Sequence, residues 1–92
     1  MRGSESIAQA FAAALRKARK EANLTQEELA HLSGLDRSTV SQAELGKASP
    51  QVETLIRLAG ALGMSPCDLL PNVRWEPPAA SANPKGKFRK EP

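Results

Sequence analysis

The sequence predicts an all-α fold of five short helices followed by a disordered C-terminal tail. Apolar residues recur at helical spacing over residues 6–71, and capping signals and glycines separate the runs. No strand pattern interrupts them. The 92 residues include only two Phe, one Trp and no Tyr, so the core must be aliphatic and alanine-rich, which suits packed helices better than a sheet.

Helix one is predicted to begin at Ser6 and to end at Asn23. Residues 6–9 read as a capping box, and asparagine readily adopts the left-handed conformation that ends a helix. Residues 1–5 are expected to be a flexible N-terminus. The buried stripe consists of Ile7, Phe11, Leu15, Ala18 and Ala22.

Helices two and three are short and are joined by a tight turn. Thr25 and Glu28 form a capping box that starts helix two, and Ser33-Gly34 ends it. Asp36 is placed to cap helix three, and Gly46 ends that helix. The spacing predicts a helix-turn-helix.

Two more helices complete the predicted domain of residues 6–71. Helix four runs from about Val52 to Leu62, started either by Ser49 with Pro50 in the first turn or by a weak Gln51 cap. Helix five begins at Ser65-Pro66 and closes at Pro71. Residues 72–92 are rich in proline and basic residues, and they predict a disordered tail.

Helix three has an outward face whose polar residues are not needed for packing in the core. Val40 and Ala43 fall on its inner side, whereas the polar residues occupy the i, i+1, i+4 and i+5 positions of the other side. A short braced helix that presents arginine, serine and glutamine fits the DNA major groove. The predicted base contacts are Arg37, Ser38, Ser41 and Gln42.

The charge distribution alone does not identify a nucleic-acid-binding domain. Residues 71–92 hold five basic and two acidic groups, a balance of +3 that equals the charge of the whole chain. Residues 1–70 therefore sum to zero. The cluster from Arg16 to Lys20 is either a solvated face or a contact with the DNA backbone, and the tail cations serve either DNA attraction or solubility.

Several classes of function are excluded by composition. The single Cys67 and the lone His31 provide no metal-ligand set, no disulfide and no catalytic constellation, so no cofactor, metal or enzymatic activity is expected. No stretch is long and apolar enough to cross a membrane. A cytoplasmic location is expected.

The stretch from Arg16 to Ala30 resembles the opening of phage lambda repressor-like domains of the Xre type. The similarity continues through residues 33–41, Glu44, Gly46-Lys47 and Pro50 and ends within residues 53–63, about sixty residues without a gap. Residues 35–38 also resemble the controller proteins of restriction-modification systems. The resemblance implies a five-helix domain that regulates transcription, usually as a homodimer on a partly palindromic operator in double-stranded DNA.

The resemblance also implies roles for single residues. Residues matching Gln26 and Lys47 contact the DNA backbone, and those matching Arg37, Ser38 and Gln42 read bases. Thr39 is a further predicted phosphate contact. An arginine matching Arg19 pairs with the glutamate matching Glu44. A dimer surface is expected at Met64, Leu69 and Leu70.

Two positions depart from the family pattern. Ala43 replaces a large aliphatic residue, and Leu45 stands where a polar or basic residue is common, which removes a phosphate contact. The near-neutral domain and Leu45 leave open a second reading, a protein-interaction module such as an antitoxin or anti-repressor. A targeting domain of an enzyme is a weaker alternative for so short a chain.

Overall fold

The computed structural model describes residues 3–78 and 85–91 of the chain. Four α-helices are followed by one turn of 3₁₀ helix and by a two-stranded antiparallel hairpin. The elements are α1 (Gly3–Glu21), α2 (Gln26–Ser33), α3 (Arg37–Leu45), α4 (Val52–Ala61), the 3₁₀ helix (Pro66–Leu69), β1 (Val73–Glu76) and β2 (Lys87–Lys90).

The core lies where α1, α2, α3 and α4 meet, and the 3₁₀ helix closes it. Phe11 is its only aromatic residue, as the aliphatic composition predicts. Ala43, the small residue of α3, packs against its edge. The largest fully buried side chains are Phe11, Leu15, Leu29, Val40, Leu58 and Leu69.

The helix ends follow the predicted signals. Asn23 has φ +59°, and Gly34 and Gly46 have φ +69° and +71°, so left-handed residues end α1, α2 and α3. At Gly46 a Cβ atom would lie 3.2 Å from the Cα of Gln9. Glycine at this position therefore allows both the turn and the close approach of α1 to the end of α3.

The first helix begins earlier than predicted. It starts at Gly3, so residues 3–5, which were expected to be a flexible N-terminus, are helical, while residues 1 and 2 lie outside the described range. Neither serine nor glutamate strongly disfavours helical backbone, so the sequence allows the helix to extend back to Gly3. The capping box predicted at Ser6 therefore does not mark the helix start.

The predicted fifth α-helix is wrong, because only one turn of 3₁₀ helix forms. Asp68 accepts a hydrogen bond from the Ser65 N–H at 3.2 Å, so part of the predicted cap is present. Pro71, however, disfavours helical backbone at Leu70, whose ψ is 145°. Only the four residues Pro66–Leu69 lie between the cap at Ser65 and the extended residue Leu70, which is too few for a stable α-helix.

The predicted disordered tail is also wrong for the strands, and the fold is therefore not purely α. Val73 pairs with Lys90, and Trp75 pairs with Phe88, in an antiparallel register. The Trp75 and Phe88 rings meet edge to face with centroids 5.2 Å apart. Cross-strand aromatic pairs stabilise hairpins, which explains order in a segment of this composition. Residues 79–84 and 92 of the predicted tail lie outside the described residues.

Helix α4 buries only part of its apolar surface. Gln51 precedes it without a side-chain capping bond, which agrees with the weaker of the two predicted starts. Leu55, Leu58 and Ala59 are buried, whereas Val52 and Ile56 are 71% and 53% exposed. An apolar flank of α4 therefore faces outward. Among the described residues, no helix is long and apolar enough to cross a membrane.

Candidate nucleic-acid interface

The outer face of α3 carries the four residues predicted to read bases. Arg37, Ser38 and Gln42 are exposed, and Ser41 is half-buried. None of the four side chains makes a hydrogen bond or an ion pair to another described residue. The polar groups of this face therefore remain available to an external partner.

The inner face of α3 fixes the helix against the rest of the domain. Val40 is fully buried in the core, and Glu44 is only 4% exposed. These two residues are one helical turn apart, so they lie on the side opposite Ser38 and Gln42. The sequence thus divides α3 into an anchored face and a presented face.

A shallow depression of about 420 Å³ runs beside α3. Thr39, Gln42 and Lys47 line it together with the loop that leads to α4. Two predicted phosphate contacts and one predicted base contact are therefore adjacent. The depression continues the presented face of α3 toward the following loop.

Glu44 is the centre of a polar network that joins α1, α2 and α3. Its carboxylate accepts hydrogen bonds from Arg19 Nε at 2.6 Å and from Arg19 Nη2 at 3.0 Å. Arg19 Nη1 also donates to the Leu24 carbonyl at 2.8 Å. The predicted Arg19–Glu44 pair is confirmed, and it also secures the loop between α1 and α2.

Gln26 belongs to the same network. Its Nε2 donates a hydrogen bond to Glu44 Oε1 at 3.2 Å. Because this amide nitrogen carries two N–H groups, the bond orients the side chain and leaves a second donor for an external acceptor. Gln26 also opens α2, where the first N–H groups of a helix favour anions.

Arg16 has a role in the structure that sequence reasoning missed. Its Nη1 donates to the backbone carbonyl of Glu44 in the last turn of α3. A cation at this position interacts favourably with the helix dipole and satisfies a terminal carbonyl. The available signal was the spacing of Arg16 and Arg19, which places both on one side of α1.

The network changes the ionisation of its members. Burial raises the pKa of the Glu44 carboxyl, but hydrogen bonds from Arg19 and Gln26, with the charges of Arg19 and Arg16, outweigh burial and lower this pKa overall. The hydrogen bond with Glu44 raises the pKa of Arg19, against a smaller effect of burial. Both groups are therefore held in their charged forms.

The predicted dimer surface is only partly available. The prediction for Leu69 is wrong, because its side chain is fully buried in the core of the single chain. Met64 is half-buried against the core, and Leu70 is 46% exposed. Helix α4 adds Val52 and Ile56, one turn apart, as further exposed apolar residues.

Within the described ranges, no three His, Cys, Asp or Glu side chains lie close enough together to hold a metal ion. His31 lies on the exposed side of α2, and Cys67 is exposed on the 3₁₀ helix.

Comparison with solved structures identifies a controller protein and a repressor domain that are similar to this fold. The restriction-modification controller protein C.AhdI from Aeromonas hydrophila superimposes with a TM-score of 0.65 and 40% identity, covering 67% of this chain and 94% of that one. The DNA-binding domain of the P22 C2 repressor superimposes with a TM-score of 0.62 and 31% identity, covering 66% and 80%.

Comparison of sequences agrees with the structural similarity. An uncharacterised HTH-type transcriptional regulator, y4dJ, from Sinorhizobium fredii is 44% identical over 52 residues, which are 56% of this chain and 68% of that protein. The helix-turn-helix family model matches residues 15–69, more than half of the chain. The chain therefore belongs to the helix-turn-helix family of the Xre, lambda repressor-like type.

Proposed function

We propose that the protein is a transcriptional regulator that recognises a specific sequence in double-stranded DNA by placing α3 in the major groove. One observation carries this proposal: the polar face of α3 has no partner among the described residues, while Glu44 anchors the opposite face of the helix. Rigid presentation of unsatisfied donors and acceptors is what base recognition requires. Such a regulator requires no catalytic group. It would act on DNA in the cytoplasm.

The base contacts follow from the chemistry of the exposed side chains. Arg37, at the start of α3, would bind guanine through its two-pronged guanidinium, a contact worth about 1–3 kcal/mol of discrimination. Gln42 would pair with adenine, whose donor and acceptor match the amide. Ser38 and Ser41 would contact the bases beside these.

The phosphate contacts would fix the register of α3 on the duplex. Gln26 offers the amide N–H that Glu44 leaves free, next to the positive end of α2. Thr39 and Lys47 line the depression beside α3, where a DNA strand would pass. Because phosphates are common to all sequences, these three contacts would position the protein rather than specify the site.

A homodimer would place two copies of α3 on the two halves of an operator. Successive major grooves on one side of the duplex lie about 34–36 Å apart, so two half-sites one turn apart suit two copies. The exposed apolar residues Leu70, Val52 and Ile56, together with Met64, form the proposed contact surface between copies. Such a dimer predicts an inverted repeat as its operator.

A second candidate function is a protein-interaction module. Leu45 is 55% exposed on the outer side of α3, where it cannot contact a phosphate. An apolar residue on the presented face favours a protein partner, as in an antitoxin or anti-repressor. This alternative predicts weak DNA binding without sequence preference.

Selection from a random duplex pool distinguishes the two functions. The full chain is incubated with the pool at about 0.15 M salt, where surface charges are screened as in the cell. Enrichment of an inverted repeat supports both DNA recognition and the dimer. Lack of enrichment by a protein with native helical circular dichroism rejects the regulator and favours a protein partner.

A further inference from the structure

The hairpin formed by β1 and β2 has one face that is entirely charged and an opposite face that holds the two aromatic residues with Val73 and Lys90. In the observed register Arg74 lies opposite Arg89, and Glu76 lies opposite Lys87, on one face. Trp75 and Phe88 lie on the other face, because side chains alternate along a strand. The aromatic face can therefore stabilise the hairpin while the opposite face remains available to a binding partner.

The aromatic face accounts for the stability of the hairpin. The Trp75 ring contacts the Phe88 ring and also lies over Gly86, where an added Cβ atom would clash with Trp75 Cζ2. Gly86 has φ +74°, so it permits both the turn and the close approach of the ring. The exposed tryptophan is therefore explained by the hairpin itself.

The charged face is not explained in this way. Two arginines directly opposite each other repel, which destabilises a strand pair. Arg74 pairs with Glu91 at 3.2 Å and Arg89 pairs with Glu76 at 3.5 Å, but both arginine side chains are 66% exposed. Exposed pairs of this kind contribute little to stability. Each arginine can therefore exchange its carboxylate partner for an external anion at little cost in stability.

The net positive charge of the chain lies in the segment that forms the hairpin. Residues 71–92 carry the whole net charge of +3, whereas residues 1–70 are neutral. Lysine-rich strands such as β2 resist pairing with another strand, and two copies of a basic hairpin repel each other. A second hairpin or an added strand is therefore a poor partner, while the phosphates of a duplex bound by α3 are a suitable one.

We propose that the β1–β2 hairpin is a second DNA-binding element, in which Arg74 and Arg89 contact the phosphate backbone of the duplex that α3 reads. The molecule is 50 Å long, a length that matches about 15 base pairs at 3.4 Å each. The strands pack chiefly on each other, so their outer surfaces remain open. This inference rests on the proposed function. The hairpin contacts would add affinity for DNA without adding sequence preference.

The test compares salt dependence of DNA binding by the full chain and by Arg74→Gln/Arg89→Gln. Loss of two phosphate contacts should reduce the slope of log K against log salt by about 1.8. If the two contacts contribute nothing to affinity at about 1 M salt, the affinity of the variant at about 0.15 M salt should be roughly thirtyfold lower than that of the wild type. The preference for operator over scrambled duplex should not change, because phosphate contacts carry no sequence information.

Matched variants separate a local contact from a general charge effect. Arg57→Gln removes one charge from an exposed side chain of α4 that is not among the proposed DNA contacts, and it should leave the slope nearly unchanged. Arg74→Lys/Arg89→Lys keeps the charge and should keep most of the slope. Trp75 is the only tryptophan, so an unchanged emission maximum verifies that the hairpin still forms in each variant.

Two results would overturn the proposal: an unchanged slope in Arg74→Gln/Arg89→Gln, or an equal decrease in Arg57→Gln. If the tryptophan emission shows that Arg74→Gln/Arg89→Gln has lost its hairpin, Arg74→Lys/Arg89→Lys provides the test instead. A salt slope that falls by about 1.8 in this lysine variant, which retains both charges, would also overturn the proposal. Salt slopes can be measured on any duplex. Absence of sequence preference in the wild type would therefore refute the regulator function without deciding the role of the hairpin.

Discussion

Glu44 of α3 and Arg19 of α1 form a two-point ion pair in which the carboxylate is almost completely buried. The nitrogen-to-oxygen distances are 2.6 and 3.0 Å, and the Glu44 side chain is 4% exposed. Because the same carboxylate accepts a bond from Gln26, one buried group fixes the helix proposed to read bases and a residue proposed to bind phosphate. Stability and recognition therefore depend on the same contacts.

Removing the buried carboxylate charge should destabilise the fold far more than removing an exposed one. We expect Glu44→Gln to lower the free energy of unfolding by about 3 kcal/mol, because it leaves Arg19 without a counter-charge at a poorly hydrated site. Glu53→Gln is the matched control, because Glu53 is 75% exposed where it pairs with Arg57. That change should cost about 0.5 kcal/mol or less in urea unfolding. Equal losses in the two variants would contradict a structural role for the buried pair.

Acid should weaken the protein through Glu44. Since the pKa of this carboxyl is lower in the folded state than in the unfolded chain, its contribution is complete above the unfolded value of about 4.3 and is lost as pH falls through the folded value. The melting temperature of the wild type should therefore fall more steeply below pH 4 than that of Glu44→Gln. Parallel melting curves for the two proteins between pH 2 and pH 7 would show that Glu44 does not titrate with folding.

The two helices of the helix-turn-helix should respond differently to loss of the side chain of their N-cap residue. Thr25 Oγ1 accepts the Glu28 N–H at 3.0 Å, and Glu28 accepts the Thr25 N–H at 2.8 Å. Thr25→Ala should cost about 1 kcal/mol of unfolding free energy. Asp36 makes no such bond, so Asp36→Ala should cost only the dipole interaction, about 0.3 kcal/mol. A larger loss at Asp36 than at Thr25 in denaturant titrations would contradict these caps.

A basic residue at position 45 should strengthen DNA binding. Leu45 is exposed near the end of α3, and Leu45→Lys would supply the phosphate contact that leucine cannot make. We expect the salt slope to steepen by about 0.9, the value for one phosphate. Leu32→Lys is the control, since Leu32 is equally exposed on α2 and the change adds the same charge. If both lysines steepen the slope alike, position 45 does not face the backbone.

The helix-turn-helix was predictable because its signals are local. The capping box at Thr25, the glycines at 34 and 46 and the split faces of α3 depend on residues within one or two turns of each other. The Arg19–Glu44 pair was predictable only from the family resemblance, since it joins residues 25 positions apart. No local pattern identifies such a contact.

The hairpin and the missing fifth helix show where local signals compete. Ser65 and Asp68 favour a helix start, but Pro71 stops it after one turn. In the tail, proline and lysine content indicates disorder, while alternation around Trp75 and Phe88 indicates strands. Pairing across ten intervening residues decides the outcome, and composition alone does not reveal it.

The most direct measurement is the ratio of affinities of Arg37→Ala for the selected operator and for a scrambled duplex. Arg57→Ala is the control, because Arg57 is an arginine of α4 that lies outside the presented face of α3 and is also partly exposed. We predict that Arg37→Ala reduces the operator preference by tenfold or more, about 1.4 kcal/mol or greater, with an unchanged melting temperature, while Arg57→Ala keeps the preference. An Arg37→Ala protein that discriminates as well as the wild type would contradict base reading by α3.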